Sequence, residues 1–454
     1  MLILCLPAFA KPEDEFWSAV QKGDYSSAAK SAREIGATTP EYYLLAAICY
    51  QNESQYSECA IYKNKFQRCG NPASLKEILS NQESSSQGNP QVLLLEGMAT
   101  LLFPEMQLGE ARDFLEKAGA KLKDNPYYYN YLALNEINNR NYSNAVQKYL
   151  QKAIGLKKNF PEPYTNLAVV LAQNKETEKA IAVLLDCLAN CPEAPANTYE
   201  SIINLTSSPV VLTIKPFGQA IVISAPGLKE QYRQKIRAGL ANQTWQLLNL
   251  AEFFILKGNA VSARGLLDGY NYNSSAFYSY LRLQMANLDG NAAEVAALGH
   301  SLLENNELDY RRLFEAGNIF FYAKDFPMAV SFYNNSLKSA NSEDDLTLAG
   351  IHANLGACFY LTKDYQKALE NTEQALKYNE KDAISLVNLG LTYRELRDPG
   401  KAVESFRKAL EFIQDPEWRR EIQGMIDEIR PPEQQPQPNP EFQPGPEPAD
   451  NQEI

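Results

Sequence analysis

LVNLGLTYRELRDPGKAVESFRKAL (386–410) and ANLGACFYLTKDYQKALENTEQAL (353–376) superpose after a shift of 34 residues, and that period decides the architecture. In the first stretch Leu386, Leu389, Gly390 and Tyr393 are followed by Ala402, Phe406 and Ala409. In the second, Leu355, Gly356, Phe359, Ala368 and Ala375 stand at the matching offsets. Small residues at the eighth and twentieth positions let two antiparallel helices approach closely, while the large ones fill the seam toward the next copy.

The phase carries toward the N-terminus with falling fidelity. Ala316, Gly317, Phe320, Ala329 and Tyr333 keep it, followed by an acidic five-residue insertion at 341–345. Tyr164, Leu167, Ala168, Leu171, Ala180, Leu184 and Pro192 keep nearly all of it, and Leu132, Ala133, Tyr142, Ala145 and Tyr149 most of it. Weaker copies lie at Gly97, Ala111 and Leu115, at Tyr43, Ala47, Tyr50, Tyr56 and Cys59, at 19–30, at Ala251, Phe254, Gly258, Ala263 and Leu267, and at 283–298. The pattern resembles the tetratricopeptide repeat, W-x2-L-G-x2-Y…A-x3-F…P, and implies about nine helical hairpins. The expected fold is all-α: a tetratricopeptide-type α-solenoid of antiparallel helix pairs with a short inserted β-hairpin. The expected blocks are repeats over 11–208 and 228–414, the insert at 209–227, a capping helix at 415–430 and a tail at 431–454.

The insert is the one stretch that breaks the helical rule. PVVLTIKPFGQAIVISAPG (209–227) alternates β-branched residues on both sides of Pro216-Phe217-Gly218, which predicts two short strands and a tight turn packed on a neighbouring helix. It serves either as a structural insert joining two solenoid halves or as an edge strand for a partner. Past the repeats, Trp418, Ile422, Met425, Ile426 and Ile429 recur at helical spacing and predict a helix that closes the stack. Residues 431–454 hold eight prolines and five acidic residues with no Lys or Arg, a composition that cannot bury enough surface to fold; a solvated spacer is expected, with an SH3-type ligand as the alternative.

MLILCLPAFA (1–10) is apolar, ends in Ala8-Phe9-Ala10 and precedes the charged KPEDEF, as the end of a signal peptide cleaved after Ala10 would. No charged n-region precedes it, so the expectation is a truncated signal, an upstream true start and export to the periplasm or envelope; a cytoplasmic chain with an apolar start is the alternative. No other stretch approaches 18 consecutive apolar residues, so no transmembrane segment is expected. Removing Cys5 would leave six cysteines. Cys49 and Cys59 fall on the two helices of one hairpin, and Cys187 and Cys191 are one helical turn apart, a geometry better suited to buried small apolar roles than to a bridge.

A net charge of −12 without any Lys/Arg cluster argues against nucleic acid and anionic membranes as partners. Tyrosine is frequent, 26 against three Trp, and mostly at seam positions of the repeats. Only His300 and His352 offer imidazoles, both expected at surface or seam, and the chain holds no HExxH, GxSxG, phosphate-cradling glycine loop or CxxC. No enzyme, cofactor or metal site is expected.

Binding is then left to the groove. In the tetratricopeptide family the concave surface is lined by the first helix of each repeat, and the resemblance carries this role onto Thr165, Asn166 and Gln173, then Phe314, Asn318, Phe321 and Tyr322. The next two repeats add Asn354 and Tyr360, then Asn388, Leu391, Arg394 and Glu395. Asparagine amides suit the backbone of an extended peptide, and the aromatics supply apolar pockets. Chaperone-binding members clamp a terminal carboxylate with Lys and Arg; here Phe314, Ile384 and Asn388 stand at those positions, which disfavours that role. The implied function is a scaffold or adaptor binding a protein or peptide, with a non-catalytic subunit of an envelope enzyme or assembly complex as the alternative.

Overall fold

The computed structural model describes residues 11–86, 88–102, 111–119, 121–214, 221–268, 275–304 and 307–429. The apolar leader 1–10, the turn Pro216-Phe217-Gly218 and the proline-rich segment 431–454 lie outside the described residues. Two compact units divide the chain between Leu302 and Leu303.

The first unit opens with the hairpins α1 (Pro12–Lys22) and α2 (Tyr25–Gly36), then α3 (Glu41–Asn52) and α4 (Tyr56–Cys69), and the single helix α5 (Pro72–Ser85). Three more hairpins follow: α6 (Pro90–Leu102) with α7 (Ala111–Gly119), α8 (Pro126–Asn138) with α9 (Asn144–Leu156), and α10 (Pro161–Gln173) with α11 (Thr177–Asn190). Helix α12 (Ala196–Thr206) runs into the strands β1 (Ser207–Ile214) and β2 (Ile221–Leu228), antiparallel from Ser207 opposite Leu228 to Ile214 opposite Ile221, and α13 (Glu230–Gly239) follows. The unit ends with α14 (Thr244–Leu256), α15 (Ala260–Leu267), α16 (Ala276–Leu288) and most of α17 (Ala292–Glu304).

Helix α12 packs on α10 and α14, and α13 on α11 and α15, on either side of β1–β2. Backbone bonds close its base: Lys229 N–H donates to the Thr206 carbonyl (3.1 Å), and Leu228 N–H to Ser262 Oγ (3.1 Å).

A strict array would let each hairpin touch only its neighbours. The N-terminal helices depart from this, because α1 and α3 also pack on α6 and one continuous core extends from Phe16 to Phe160. A buried polar bolt fastens the closure. Asn52, wholly buried at the end of α3, accepts on its carbonyl from the Tyr127 hydroxyl (3.0 Å) and Lys157 Nζ (3.1 Å). Its Oδ1 accepts from the Tyr131 hydroxyl (3.3 Å), and its amide donates to Met98 Sδ (3.1 Å). Beside the bolt lies Glu162, in the first turn of α10, with both carboxylate oxygens buried and no hydrogen bond to either among the described residues. Burial pushes its pKa up to about 7, although Tyr56, Gln51 and Lys157 face it and offset part of the effect.

In the second unit the hairpins are α18 (Tyr310–Tyr322) with α19 (Phe326–Ser339), α20 (Asp345–Leu361) with α21 (Tyr365–Tyr378), and α22 (Ala383–Glu395) with α23 (Pro399–Phe412); α24 (Pro416–Ile429) closes it. The eighth-position glycines act by close approach: a Cβ on Gly390 would stand 2.6 Å from the Phe406 ring, and one on Gly356 would stand 2.5 Å from Thr372 Oγ1. Ala368 and Ala402 are wholly buried at the opposing positions. Each turn follows one recipe. A residue in the left-handed region (Lys324, φ 63°; Lys363, φ 66°; Arg397, φ 62°) precedes an aspartate whose carboxylate caps the next helix. The acidic insertion lengthens α20 to 17 residues against 13 in α18 and α22. Its buried cap Asp344 accepts from the Tyr310 hydroxyl (2.9 Å), Arg311 Nη2 (2.9 Å) and Thr347 Oγ1 (2.8 Å). Burial would raise the Asp344 pKa, but these bonds hold it below the ordinary carboxylate range. Ile422 and Ile426 of α24 are buried against the α22–α23 core.

Candidate functional site

The second unit's first helices α18, α20 and α22 pack side by side, so their outer residues share one face. Asn166 belongs to the first unit.

The asparagines divide by partner. Asn166 donates its amide to Asn130 Oδ1 on α8 (3.0 Å), and neighbouring Thr165 is buried with its hydroxyl on the Glu162 carbonyl (2.9 Å). Asn318 Oδ1 accepts from Asn354 Nδ2 (2.8 Å) and from the Tyr333 hydroxyl (2.8 Å), while Asn318 Nδ2 donates to Glu315 (3.3 Å). Asn318 and Asn354 thus form an inter-repeat ladder, and Asn354 keeps only its carbonyl oxygen free. The Asn388 side chain makes no hydrogen bond with the described residues and is partly exposed. Of the successive asparagines, it alone brings a whole amide to the face.

The aromatics divide in the same way. Phe314 is a packing residue: its ring lies 5.8 Å from Tyr333 and would meet a Cβ on Gly350 of α20 at 3.2 Å. Tyr322 is 82% exposed, edge-on to Phe321, which in turn contacts Phe326. Tyr360 is half-buried beside Tyr365 (5.7 Å between rings), and Arg394 lies 3.8 Å from Glu395. Leu391 is partly buried against the α22–α23 core, and Gln173 is exposed.

Two further exposed apolar residues lie on these helices: Leu361 (51% exposed), which sequence reasoning did not name, and Ile384 (59%), which it named only as replacing a basic clamp residue. Their signal was an apolar residue at a first-helix position that packs on nothing in the repeat. The imidazoles stay apart: His300 is exposed, and His352 stacks on Tyr378 (5.9 Å) with Nδ1 at 3.2 Å from Asn371 Oδ1. Among the described residues no group of three or more His, Cys, Asp or Glu could hold a metal ion, and no helix is long and apolar enough to cross a membrane. The six described cysteines are unbridged; the Cys187 and Cys191 sulfurs, both buried, are 4.0 Å apart.

These paired helices and their shared face define a helical-repeat protein. The tetratricopeptide repeat model matches residues 349–382, and a second matches 383–416. Residues 349–416 are therefore two consecutive tetratricopeptide repeats. No curated protein matches it. Among solved structures it is similar to the APC/C hetero-tetramer Cut9-Hcn1 (16% identity, 93% of this chain and 90% of that one, TM-score 0.37). Others are the yeast Tom70 (12%, 92% and 94%, TM-score 0.33) and the tetratricopeptide domain of P58(IPK) (12%, 92% and 97%, TM-score 0.29).

Proposed function

We propose that the chain is a non-catalytic scaffold that binds an extended segment of another protein across α18, α20 and α22. The observation that carries this reading is the co-location of Tyr322, Leu361 and Ile384, each more than half exposed, with the free amide of Asn388 and the guanidinium of Arg394. Large apolar side chains left bare on one face, interleaved with hydrogen-bonding groups, fit a peptide whose side chains need pockets and whose backbone needs partners. Phe321 and Tyr360 widen that apolar surface. Phe314, Asn318 and Asn354 support it from behind. The β1–β2 hairpin is taken as an insert within its repeat and not as the docking edge. The apolar, Ala-x-Ala-ended leader followed by KPEDEF supports export to the periplasm or envelope.

Affinity capture with crosslinking and mass spectrometry tests the reading. Crosslinks from the captured partner should fall on 310–322, 345–361 and 383–395. A combined Tyr322→Ala, Tyr360→Ala, Asn388→Ala chain should lose capture at least tenfold with an unchanged melting curve. Capture that survives those changes, with crosslinks elsewhere, refutes it. N-terminal sequencing of the protein from fractionated cells tests export: a mature start at Lys11 in the envelope fraction is expected, and a retained leader in the cytoplasmic fraction refutes it.

A further inference from the structure

We propose that residues 431–454 of this chain dock in cis along the turn edge of the second unit, over Lys324, Lys363 and Arg397, and so cover part of the partner-binding face. The inference rests on that face being the binding site, because Phe321, Tyr322 and Tyr360 belong to both.

The edge carries unmatched charge. Lys324, Lys363 and Arg397 head three successive hairpin turns and are all exposed, and none makes an ion pair or side-chain hydrogen bond with the described residues. The adjacent aspartates are already engaged. Asp325, Asp364 and Asp398 each cap a helix, and the last two also pair with Lys367 (2.7 Å) and Lys401 (3.5 Å). On a chain of net charge −12, three free cations in a row on one edge call for an acidic occupant.

The edge also carries apolar surface at the same period. Tyr322 (82% exposed), Leu361 (51%) and Leu396 (38%) each stand one or two residues before a cation. Paired rings frame the first two: Phe321 with Phe326 (5.9 Å) around Lys324, and Tyr360 with Tyr365 (5.7 Å) around Lys363. Aromatic ridges of this kind receive proline-rich chains. Residues 431–454 supply eight prolines, the single aromatic Phe442, five carboxylates (Glu433, Glu441, Glu447, Asp450, Glu453) and no basic residue.

Topology delivers that segment to the right end. Helix α24 follows α23 after the short link 413–415 and packs against it, with Arg419 Nη1 bonded to the Ile413 carbonyl (2.8 Å) at the link. It therefore returns along α23, and its last residue, Ile429, lies at the level where α23 begins, beside the Arg397 turn. Neighbouring helices pack about 10 Å apart, so the three turns span roughly 20–30 Å. At about 3.1 Å per residue a segment of twenty-four residues can reach roughly 70 Å, more than enough.

A fluorescein-labelled synthetic peptide of residues 431–454, followed by anisotropy, tests the contact on three full-length proteins. The first is the wild type. The second has its own segment neutralised (Glu433→Gln, Glu441→Gln, Glu447→Gln, Asp450→Asn, Glu453→Gln). The third adds Lys324→Asp, Lys363→Asp and Arg397→Asp, a residue type that tolerates the left-handed backbone. Should that triple change lower the melting temperature, Lys324→Asn, Lys363→Asn and Arg397→Asn replace it. The peptide should bind the neutralised chain at least tenfold more tightly than the wild type, whose edge is occupied, and the edge-substituted chain should not bind it. Equal binding to the first two, binding that survives the edge substitutions, or no binding to any of the three overturns the proposal. Sedimentation showing that the wild type dimerises while the neutralised chain does not would place the segment on a second copy and overturn the cis contact. Partner crosslinks on α18, α20 and α22 without peptide binding would sink this inference alone. Peptide binding with partner crosslinks elsewhere would sink the proposed function instead.

Discussion

Replacing Glu162 by Gln should make the N-terminal closure tighter at alkaline pH and leave it nearly unchanged under acid. The carboxylate titrates near 4.5 when free and near 7 in the fold, because burial disfavours its charged form. The folded state therefore holds the proton more strongly than the unfolded one. The stability tied to this proton is fully present below about pH 4.5 and is lost as pH rises through about 7. A difference of about 2.5 pH units corresponds to about 3 kcal/mol at pH 8 and under about 1 kcal/mol at pH 5. Lys157, Tyr56 and Gln51 surround the site and can move to meet the charge, so the observed effect should be somewhat smaller. Glutamine keeps the shape and abolishes the titration. Hydrogen exchange read by mass spectrometry on peptides covering 41–56 and 157–170 isolates this contact from the second unit, and comparing variant with wild type at one pH cancels intrinsic exchange rates. Protection in the variant should exceed wild type by roughly ten- to a hundredfold at pH 8 and by only a few-fold at pH 5. Equal gains at both pH values, or weaker protection at pH 8, would show that the carboxylate is ionised and paired in the fold.

Substituting Phe for Ala402 or Ala368 should cost about 1–3 kcal/mol by overpacking, seen as an earlier urea transition of the second unit, since both methyls are wholly buried beneath the facing glycines. Asn318→Ala or Asn354→Ala should each destabilise that unit by about 1 kcal/mol, while Asn388→Ala should stay within about 0.5 kcal/mol and act on partner capture instead. Lys157→Met should cost about 1–3 kcal/mol and raise exchange in 41–56, because the Asn52 carbonyl and Glu53 lose a partly buried charged donor.

The repeats were legible because their signal is local. Gly356 and Ala368, or Gly390 and Ala402, mark a close approach within one hairpin, and the seam residues follow at a fixed offset. The helix starts carry a local signal as well, which the structure brings out: in the Lys-Asp and Arg-Asp dipeptides at 324–325, 363–364 and 397–398 one residue takes the left-handed turn and the next caps. The N-terminal closure was not legible. Asn52, Tyr127 and Lys157 are separated by up to 105 residues, and nothing in the period marks them as partners. A tyrosine at a seam position reads the same whether its hydroxyl reaches water or a carbonyl two hairpins away. Glu162 likewise reads as an ordinary acidic residue in a helix's first turn, favourable there on dipole grounds; only the α3–α4 turn folded over it makes it costly.

Three of the four candidate asparagines engage their amides inside the fold, for a related reason. An amide on the first helix can grip a peptide backbone or the amide one repeat upstream, and the donors and acceptors are identical in the two cases. What separates them is the residue on the preceding first helix. Asn354 meets Asn318, which follows Gly317; the equivalent position after Gly356 is Ala357, which has no polar atom to offer Asn388. The ladder therefore ends at α20, and Asn388 has an amide to spare for a ligand. An asparagine in such a face is a binding candidate where its neighbours on the preceding first helix are apolar, and a strut where one of them is polar, as Asn130 is for Asn166.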